Sequence, residues 1–556
     1  MAASEGAREG QKGTEGVRHR RRPQLRKVAA AQEGGSLLAM SSSWTGTSRG
    51  KRLLYGAVVA AVVAVSAFYG VLVVDIAREY ALTTPPTDPH AFHIGNLWES
   101  FFTAATTEEL GVGVHGISRQ RKVYSDSWMS VVSHWVGGGI LMFVGPFQFI
   151  DTLRDRFPAL HRASGYLYYA GAALSLVGSL TLYVFHPMKT EMYGGYIFSL
   201  PLFLLALVSL RANIEAIRSV LREKRSIRRH MGYNALGFAT FLTAPWLRLL
   251  WISFPRISRW LGMAEADYDN MEIINLVSEP WVLTPMVIFA LLFLSGQNLF
   301  ASSPRLRLWK LSSKTRNLLL LWALLTFAAV FYQLHYRFRD GSNFLYATFR
   351  VATAADLAEE YSASKMAFFD GFSQAPGASA NPLLAGLLAS GLPAMPLAYT
   401  FVYLASLLVT LVLGPYILHQ TTHRGRSGTI TSLVYTLALL GQTLALAVLE
   451  TLADGRAFGG CVQTSIAFCQ LCCWWFCWLM LVYFGFLRGD PRLSRAWAVF
   501  TVAAGQGSLL FQAVLVPLLA WGLDHDFYSA YVTAGMLASS IPYIESYSFV
   551  NRPGVP

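Results

Sequence analysis

The chain has 556 residues, of which 54% are hydrophobic and only 14% are charged, and its formal net charge is +13. A soluble domain cannot bury so much apolar surface, so the composition indicates an all-α integral membrane protein with many spans in the lipid bilayer. The positive charge does not indicate a nucleic-acid-binding protein, because the basic residues recur in short loops between apolar segments.

Twelve apolar segments are long enough, or nearly long enough, to cross a bilayer as a helix of roughly 20 residues. Before them lies a polar, basic tail, residues 1–52, which we interpret as disordered, with an organelle transit peptide as the alternative. In chain order the predicted spans are 53–74, 128–150, 163–185, 193–210, 231–254, 280–300, 318–334, 397–418, 430–449, 466–487, 496–521 and 527–544.

Every second connection between these spans is basic. Arg and Lys cluster at 49–52, 154–162, 222–229, 305–316, 424–426 and 488–495. The intervening loops are acidic or mixed; residues 254–280, for example, contain five acidic residues. The positive-inside rule therefore predicts that the basic loops and both termini face the cytoplasm, or the matrix or stroma of an organelle. The sequence does not say which membrane holds the protein.

The spans divide into two six-helix halves that share short motifs in the same order. Gly145–Phe147 in the first half is comparable to Gly414–Tyr416 in the second, and His161-Arg162 is comparable to His423-Arg424. An even number of spans per unit predicts parallel repeats. Chance similarity between membrane sequences rich in Gly and Ala is the alternative. The two predicted membrane halves are residues 53–300 and 317–548.

Four histidines of the first half lie near the ends of predicted spans. His134 is about six residues into the second span, His161 and His186 are at opposite ends of the third, and His230 opens the fifth. At 100° and 1.5 Å per residue, His161 and His186 share one helix face, roughly 37 Å apart. Two pairs are thus predicted at matched depths: His161 with His230 on the basic side, and His134 with His186 opposite.

Paired imidazoles on neighbouring helices are typical of bis-histidine haem b sites, so we predict two haems that carry electrons across the membrane. Arg162 and Arg229 are candidates to neutralise haem propionates. Arg248 lies inside a predicted span, five helical turns after His230, and is a candidate to bind a propionate, a quinone or an anion. The alternatives are hydrogen bonds between helices for the histidines, and an Arg248 that reaches the membrane surface.

Several short motifs of the first half occur together in one known family. They are His134, Gly145-Pro-Phe-Gln-Phe149, Pro158-Ala-Leu-His161-Arg162-x-x-Gly165, Arg229-His230-Met231 and Leu247-Arg248-Leu249. Through them the stretch from about Leu53 to Phe254 resembles the predicted membrane protein family catalogued as domain of unknown function 2306. The resemblance implies a multi-pass membrane protein but no established activity. The layout of the histidines is similar to that of the ascorbate-reducible di-haem cytochromes b.

Three functions are compatible with these patterns. The first is a haem-linked membrane oxidoreductase that uses a quinone or a small-molecule reductant. The second is a transporter of a small solute, because six plus six spans is the layout of the major facilitator superfamily. The third is a structural subunit that binds other membrane subunits, which would suit the His-poor second half.

Overall fold

The computed structural model describes residues 126–186, 195–221, 227–243, 310–337, 396–452, 461–523 and 527–551, with a few helical residues between 60 and 71 and between 287 and 294. The chain divides into two compact units, Met1–Ala64 and Val65–Pro556. Of the first unit only residues 60, 63 and 64 are described, and they are helical. The predicted tail, most of the first and sixth spans, and Arg248 lie outside the described residues.

The described part of the second unit is built of helices and contains no strand. We number its α-helices in chain order: α1 Trp128–Val144, α2 Asp151–Arg156, α3 Pro158–Phe185, α4 Gly195–Leu221, α5 Ile227–Phe241, α6 Ser313–Arg337, α7 Pro396–Arg424, α8 Thr429–Leu452, α9 Cys461–Val482, α10 Pro491–Val502, α11 Ser508–Gly522, α12 Phe527–Ala538 and α13 Ile541–Asn551.

Seven helical segments within the described ranges are long and apolar enough to cross a membrane. They are Trp128–Phe149, Pro158–Phe185, Leu200–Leu221, Phe401–Arg424, Thr429–Val448, Ile466–Leu487 and Pro491–Leu519. This confirms an all-α, multi-pass membrane protein. The total of twelve spans and the orientation of the termini stay predictions.

Prolines mark the ends of several helices. At the end of α1, Gly145 and Pro146 open a short 3-10 helix, and Pro158 occupies the first turn of α3, where a missing N–H costs nothing. The predicted last span, 527–544, is wrong as a single helix, because the chain turns at Ser539 and Ser540 between α12 and α13. Pro542 explains the break, since its ring would clash with the carbonyl four residues earlier in a continuous helix.

The motifs on which the predicted repeat depends have different local structures in the two halves. Gly145–Phe147 forms the 3-10 helix after α1, whereas Gly414–Tyr416 lies inside α7. His161 and Arg162 lie near the start of α3, but the comparable His423 and Arg424 lie in the last turn of α7. The two-repeat arrangement is therefore not confirmed.

The helices of the first half pack as α1 against α3 and α4 against α5. In the second half α7 packs against α8 and α10, and α9 packs against α10. The last two helices extend to the first half: α12 contacts α4, and α13 contacts both α5 and α10. The end of the chain therefore forms part of the surroundings of the predicted histidine site.

Candidate functional site

Helices α1 and α3 are in direct backbone contact. A Cβ atom on Gly137 would overlap the backbone of Ser175, and one on Gly171 would lie 2.8 Å from the Gly137 carbonyl oxygen. A Cβ on Gly178 would likewise meet the backbone of His134. Small residues at such contacts are typical of membrane helix pairs. These glycines bring the two helices together, so no space for a flat macrocycle remains between them.

His134 lies in this contact between α1 and α3 and forms hydrogen bonds to α3. Its Nδ1 lies 2.7 Å from Ser179 Oγ, 3.1 Å from Ser175 Oγ and 3.2 Å from the Ser175 carbonyl oxygen. Hydrogen bonds of this kind hold neighbouring membrane helices together. The structure thus gives His134 the role of an interhelical hydrogen-bonding residue.

His186 follows the last residue of α3 and is buried. Its Nε2 lies 2.6 Å from the Ser127 hydroxyl, just before α1. Because His186 comes seven residues after Ser179, it lies roughly 10 Å further along α3 than the partners of His134. His134 and His186 therefore bond to different partners at different levels, and their pairing across a common ligand stays a prediction.

His230 is the centre of a hydrogen-bond chain through three helices. Its Nδ1 donates to the Ala216 carbonyl of α4 over 3.0 Å, and its Nε2 accepts from Asn234 Nδ2 over 3.1 Å. Asn234 Oδ1 in turn accepts from the Tyr169 hydroxyl of α3 over 2.6 Å. A carbonyl can only accept, so Nδ1 carries the proton and Nε2 holds the lone pair.

His161 lies near the start of α3, close enough to His230 and Arg154 for their charges to interact. Its Nδ1 is buried and has no hydrogen-bond partner among the described residues. Arg154 of α2 also approaches α5, with its Nη1 3.5 Å from the sulfur of Met231. The basic ends of α2, α3 and α5 therefore meet around the predicted pair of His161 and His230.

Of the predicted arginines, Arg162 and Arg229 lie at this basic end of the described helices. Arg162 is exposed, and its Nε donates to the Pro158 carbonyl over 3.3 Å. The guanidinium of Arg229 lies 5.8 Å from the centre of the Tyr233 ring. Their role with propionates stays a prediction, and so does any role of Arg248.

Sequence reasoning missed the partners of the histidines. Gly171, Ser175 and Ser179 follow one another at intervals of four residues, a small-residue spacing that could have identified the tight contact with α1. Asn234 lies four residues after His230, on the same helix face.

Among the described residues no group of three or more His, Cys, Asp or Glu side chains is arranged to hold a metal ion.

Comparison with known proteins identifies one relationship. Residues 131–294 match the family model of a predicted membrane protein, DUF2306. This confirms the resemblance, and the matched segment contains all four histidines considered above. No curated protein and no solved structure matches the chain.

Proposed function

We propose that this multi-pass membrane protein binds one haem b between His161 and His230 and exchanges electrons at the basic end of its first half. The observation that carries the proposal is the hydrogen bond from His230 Nδ1 to the Ala216 carbonyl. Histidines that ligate a metal almost always donate their other ring N–H to such an acceptor, which fixes the ring and leaves Nε2 as the ligand.

His161 is the proposed second ligand, on the other face of the haem from His230. It is near His230, and its buried Nδ1 has no protein partner in the described ranges. A buried ring nitrogen without a partner loses the free energy of a hydrogen bond, which a ligand can restore. The amide of Asn234 occupies Nε2 of His230, so ligation of a haem at that atom requires this hydrogen bond to break.

The other predicted pair is left out of this proposal, because both histidines already bond to protein groups. His134 is bonded within the close contact of α1 and α3, and His186 is bonded to Ser127 at another level. The proposal is therefore one haem near one membrane surface. A bound haem supplies one-electron transfer.

The surroundings favour an anionic or membrane-soluble electron partner. Arg154, Arg156 and Arg162 lie at the same end of the helices as the proposed site. Clustered positive charge concentrates anionic small molecules and speeds their approach. A small anionic reductant in the aqueous phase and a quinone in the bilayer are the two partner classes proposed.

The test is a haem titration of the purified full-length chain in mild detergent, followed by absorption spectroscopy. We expect saturation at one haem per chain with a low-spin, bis-histidine spectrum, lost in His161→Ala and in His230→Ala. His134→Ala is the matched control and should keep the haem. Saturable binding that survives His230→Ala, or no binding to the wild-type chain, would overturn the proposal.

Transport is a second candidate because of buried amides in the second half. Gln470 Nε2 donates to Gln512 Oε1 over 2.9 Å, and Gln512 Nε2 has no partner among the described residues. A π-helical segment, Ala503–Gly507, interrupts the same span, and such segments are frequent at functional sites. Uptake of urea or glycerol by proteoliposomes, lowered in Gln512→Leu, would support this function, and unchanged permeability would exclude it for these solutes.

A further inference from the structure

We infer that the C-terminal helix α13 is the element that positions His230. Residues 541–551 would then complete the proposed haem site, although its two histidines, His161 and His230, both lie in the matched segment 131–294. The functional consequence of this inference rests on the proposed haem site. The contact between α13 and α5 is tested separately from it.

Tyr547 is the centre of the contact between α13 and α5. Its side chain is fully buried, and its hydroxyl donates to the Arg228 carbonyl over 3.2 Å. Its ring meets the Tyr233 ring edge to face, with the ring centres 5.1 Å apart. Aromatic pairs of this geometry stabilise a contact beyond the apolar area that they bury.

Two further features make this contact specific. The Tyr233 hydroxyl lies 2.6 Å from the hydroxyl of Ser548, the next residue of α13. Gly232 has no room for a side chain, because a Cβ atom there would overlap the ring and hydroxyl of Tyr547. The first turns of α5 are thus shaped to receive one aromatic side chain of α13.

Part of the contact, at Gly232, lies on the face of α5 opposite to His230. Gly232 follows His230 by two residues, which is about 200° around the helix. His230 and Asn234 face α4 and α3, where they bond to Ala216 and Tyr169. Helix α5 is therefore held between α13 on one face and the hydrogen-bond chain on the other.

The neighbouring helices show why α13 can set the position of α5. Helix α12 packs along α4, and α13 continues from it after a two-residue turn to pack on α5. An ion pair of Arg211 with Glu545, 2.9 Å long, joins α4 to α13 as well. Both side chains are about half exposed, so this pair contributes little. The buried Tyr547 contact is the main restraint.

The decisive variant is Tyr547→Ala, and Tyr543→Ala is its matched control. Tyr543 is one turn earlier on α13 and equally buried, but it stacks on Phe500 of α10 rather than on α5. Both variants remove the same atoms from the same helix. A difference between them at His230 therefore reports positioning rather than general loss of stability.

Two measurements are made on each full-length variant. Hydrogen exchange should accelerate by about tenfold at residues 227–236 in Tyr547→Ala, but not in Tyr543→Ala, relative to α1 in the same sample. The haem dissociation constant should rise about tenfold in Tyr547→Ala, the lower end of the effect of losing an orienting interaction at a metal site. The reduction potential of the haem should shift in the same variant only.

Each result decides a different statement. Faster exchange at residues 227–236 in Tyr547→Ala without haem binding by the wild-type chain would support the positioning role and overturn the haem proposal. Haem binding with unchanged exchange and affinity in Tyr547→Ala would overturn the positioning role alone. Equal effects of the two alanine variants would also overturn it.

Milder substitutions and a double variant keep the test decisive if Tyr547→Ala is poorly folded. Tyr547→Phe and Tyr233→Phe remove only one hydroxyl each and should give smaller changes in the same direction.

Gly232→Ala should disrupt the contact in the wild-type background. The same substitution should cost little in the Tyr547→Ala background, since the space is then free. Additive effects of Gly232→Ala and Tyr547→Ala would contradict the inference.

Discussion

Two adjacent glycines of α1 provide a sharp test of the close helix contact that holds His134. A Cβ atom on Gly137 would lie 2.6 Å from the Gly171 carbonyl oxygen and 2.9 Å from Ser175 Cα. A Cβ on Gly138 would meet only the Ser175 hydroxyl, at an ordinary 3.7 Å. The substitutions Gly137→Ala and Gly138→Ala add the same methyl group to the same helix, but only the first forces α1 away from α3.

The expected magnitude follows from these distances. Carbon atoms pack at about 3.5–4.0 Å, so Gly137→Ala requires the two backbones to separate by roughly 1 Å. Overpacking of this kind costs about 1–3 kcal/mol. The gain in helix propensity from Gly to Ala, about 1 kcal/mol, is common to both variants and cancels in the comparison. We expect Gly137→Ala to be less stable than Gly138→Ala by about 2 kcal/mol.

The assay is reversible unfolding of the two variants in mixed detergent micelles, followed by tryptophan fluorescence. A difference of about 2 kcal/mol corresponds to roughly a 30-fold change in the unfolding equilibrium. Gly137→Ala should also weaken the bonds of His134 to Ser175 and Ser179, because they cross the same contact. Equal stability of the two variants, or a less stable Gly138→Ala, would refute the assignment of Gly137 to a backbone contact.

The loops of the second half give two further predictions for the same unfolding assay. Gly425 and Gly489 both have positive φ, 77° and 62°, but only at Gly425 would a Cβ atom crowd Pro491, at 2.7 Å. Gly425→Ala should therefore destabilise more than Gly489→Ala, by about 1 kcal/mol or more; the reverse order would be inconsistent with these loop conformations. Asp490 caps α10 by accepting from the Leu493 N–H over 3.2 Å, so Asp490→Ala should cost about 1 kcal/mol while Asp490→Asn is nearly neutral. Equal losses in the two Asp490 variants would mean that the cap contributes nothing.

The sequence predicted the existence of most described helices but not their ends. The predicted span 193–210 covers the N-terminal part of α4, which begins at Gly195 and continues to Leu221. The extension is polar: Glu215 pairs with Arg218 at 2.9 Å, and Arg211 pairs with Glu545. A search for apolar segments stops at Arg211, because it cannot recognise that the helix continues with its charged side chains paired.

The candidate site was predicted only in part, because the sequence gives the depth of a side chain but not its neighbours. Helical periodicity placed His161 and His230 at one level, and in the structure their charges are close enough to interact. Their pairing across a haem stays a prediction. The same reasoning paired His134 with His186 but could not predict their bonds to Ser179 and Ser127, because depth alone does not determine which neighbour a side chain faces. The contact of Tyr547 with α5 joins residues more than 300 positions apart in the chain, and no local pattern signals it.

The most direct test of the central claim is the ratio of haem to protein in the full-length chain purified from cells supplied with haem. The account predicts one haem per chain, visible in the reduced-minus-oxidised spectrum and absent from His230→Ala. Two haems per chain would restore the His134 and His186 pair as ligands. A wild-type chain without haem under these conditions would contradict the proposed function.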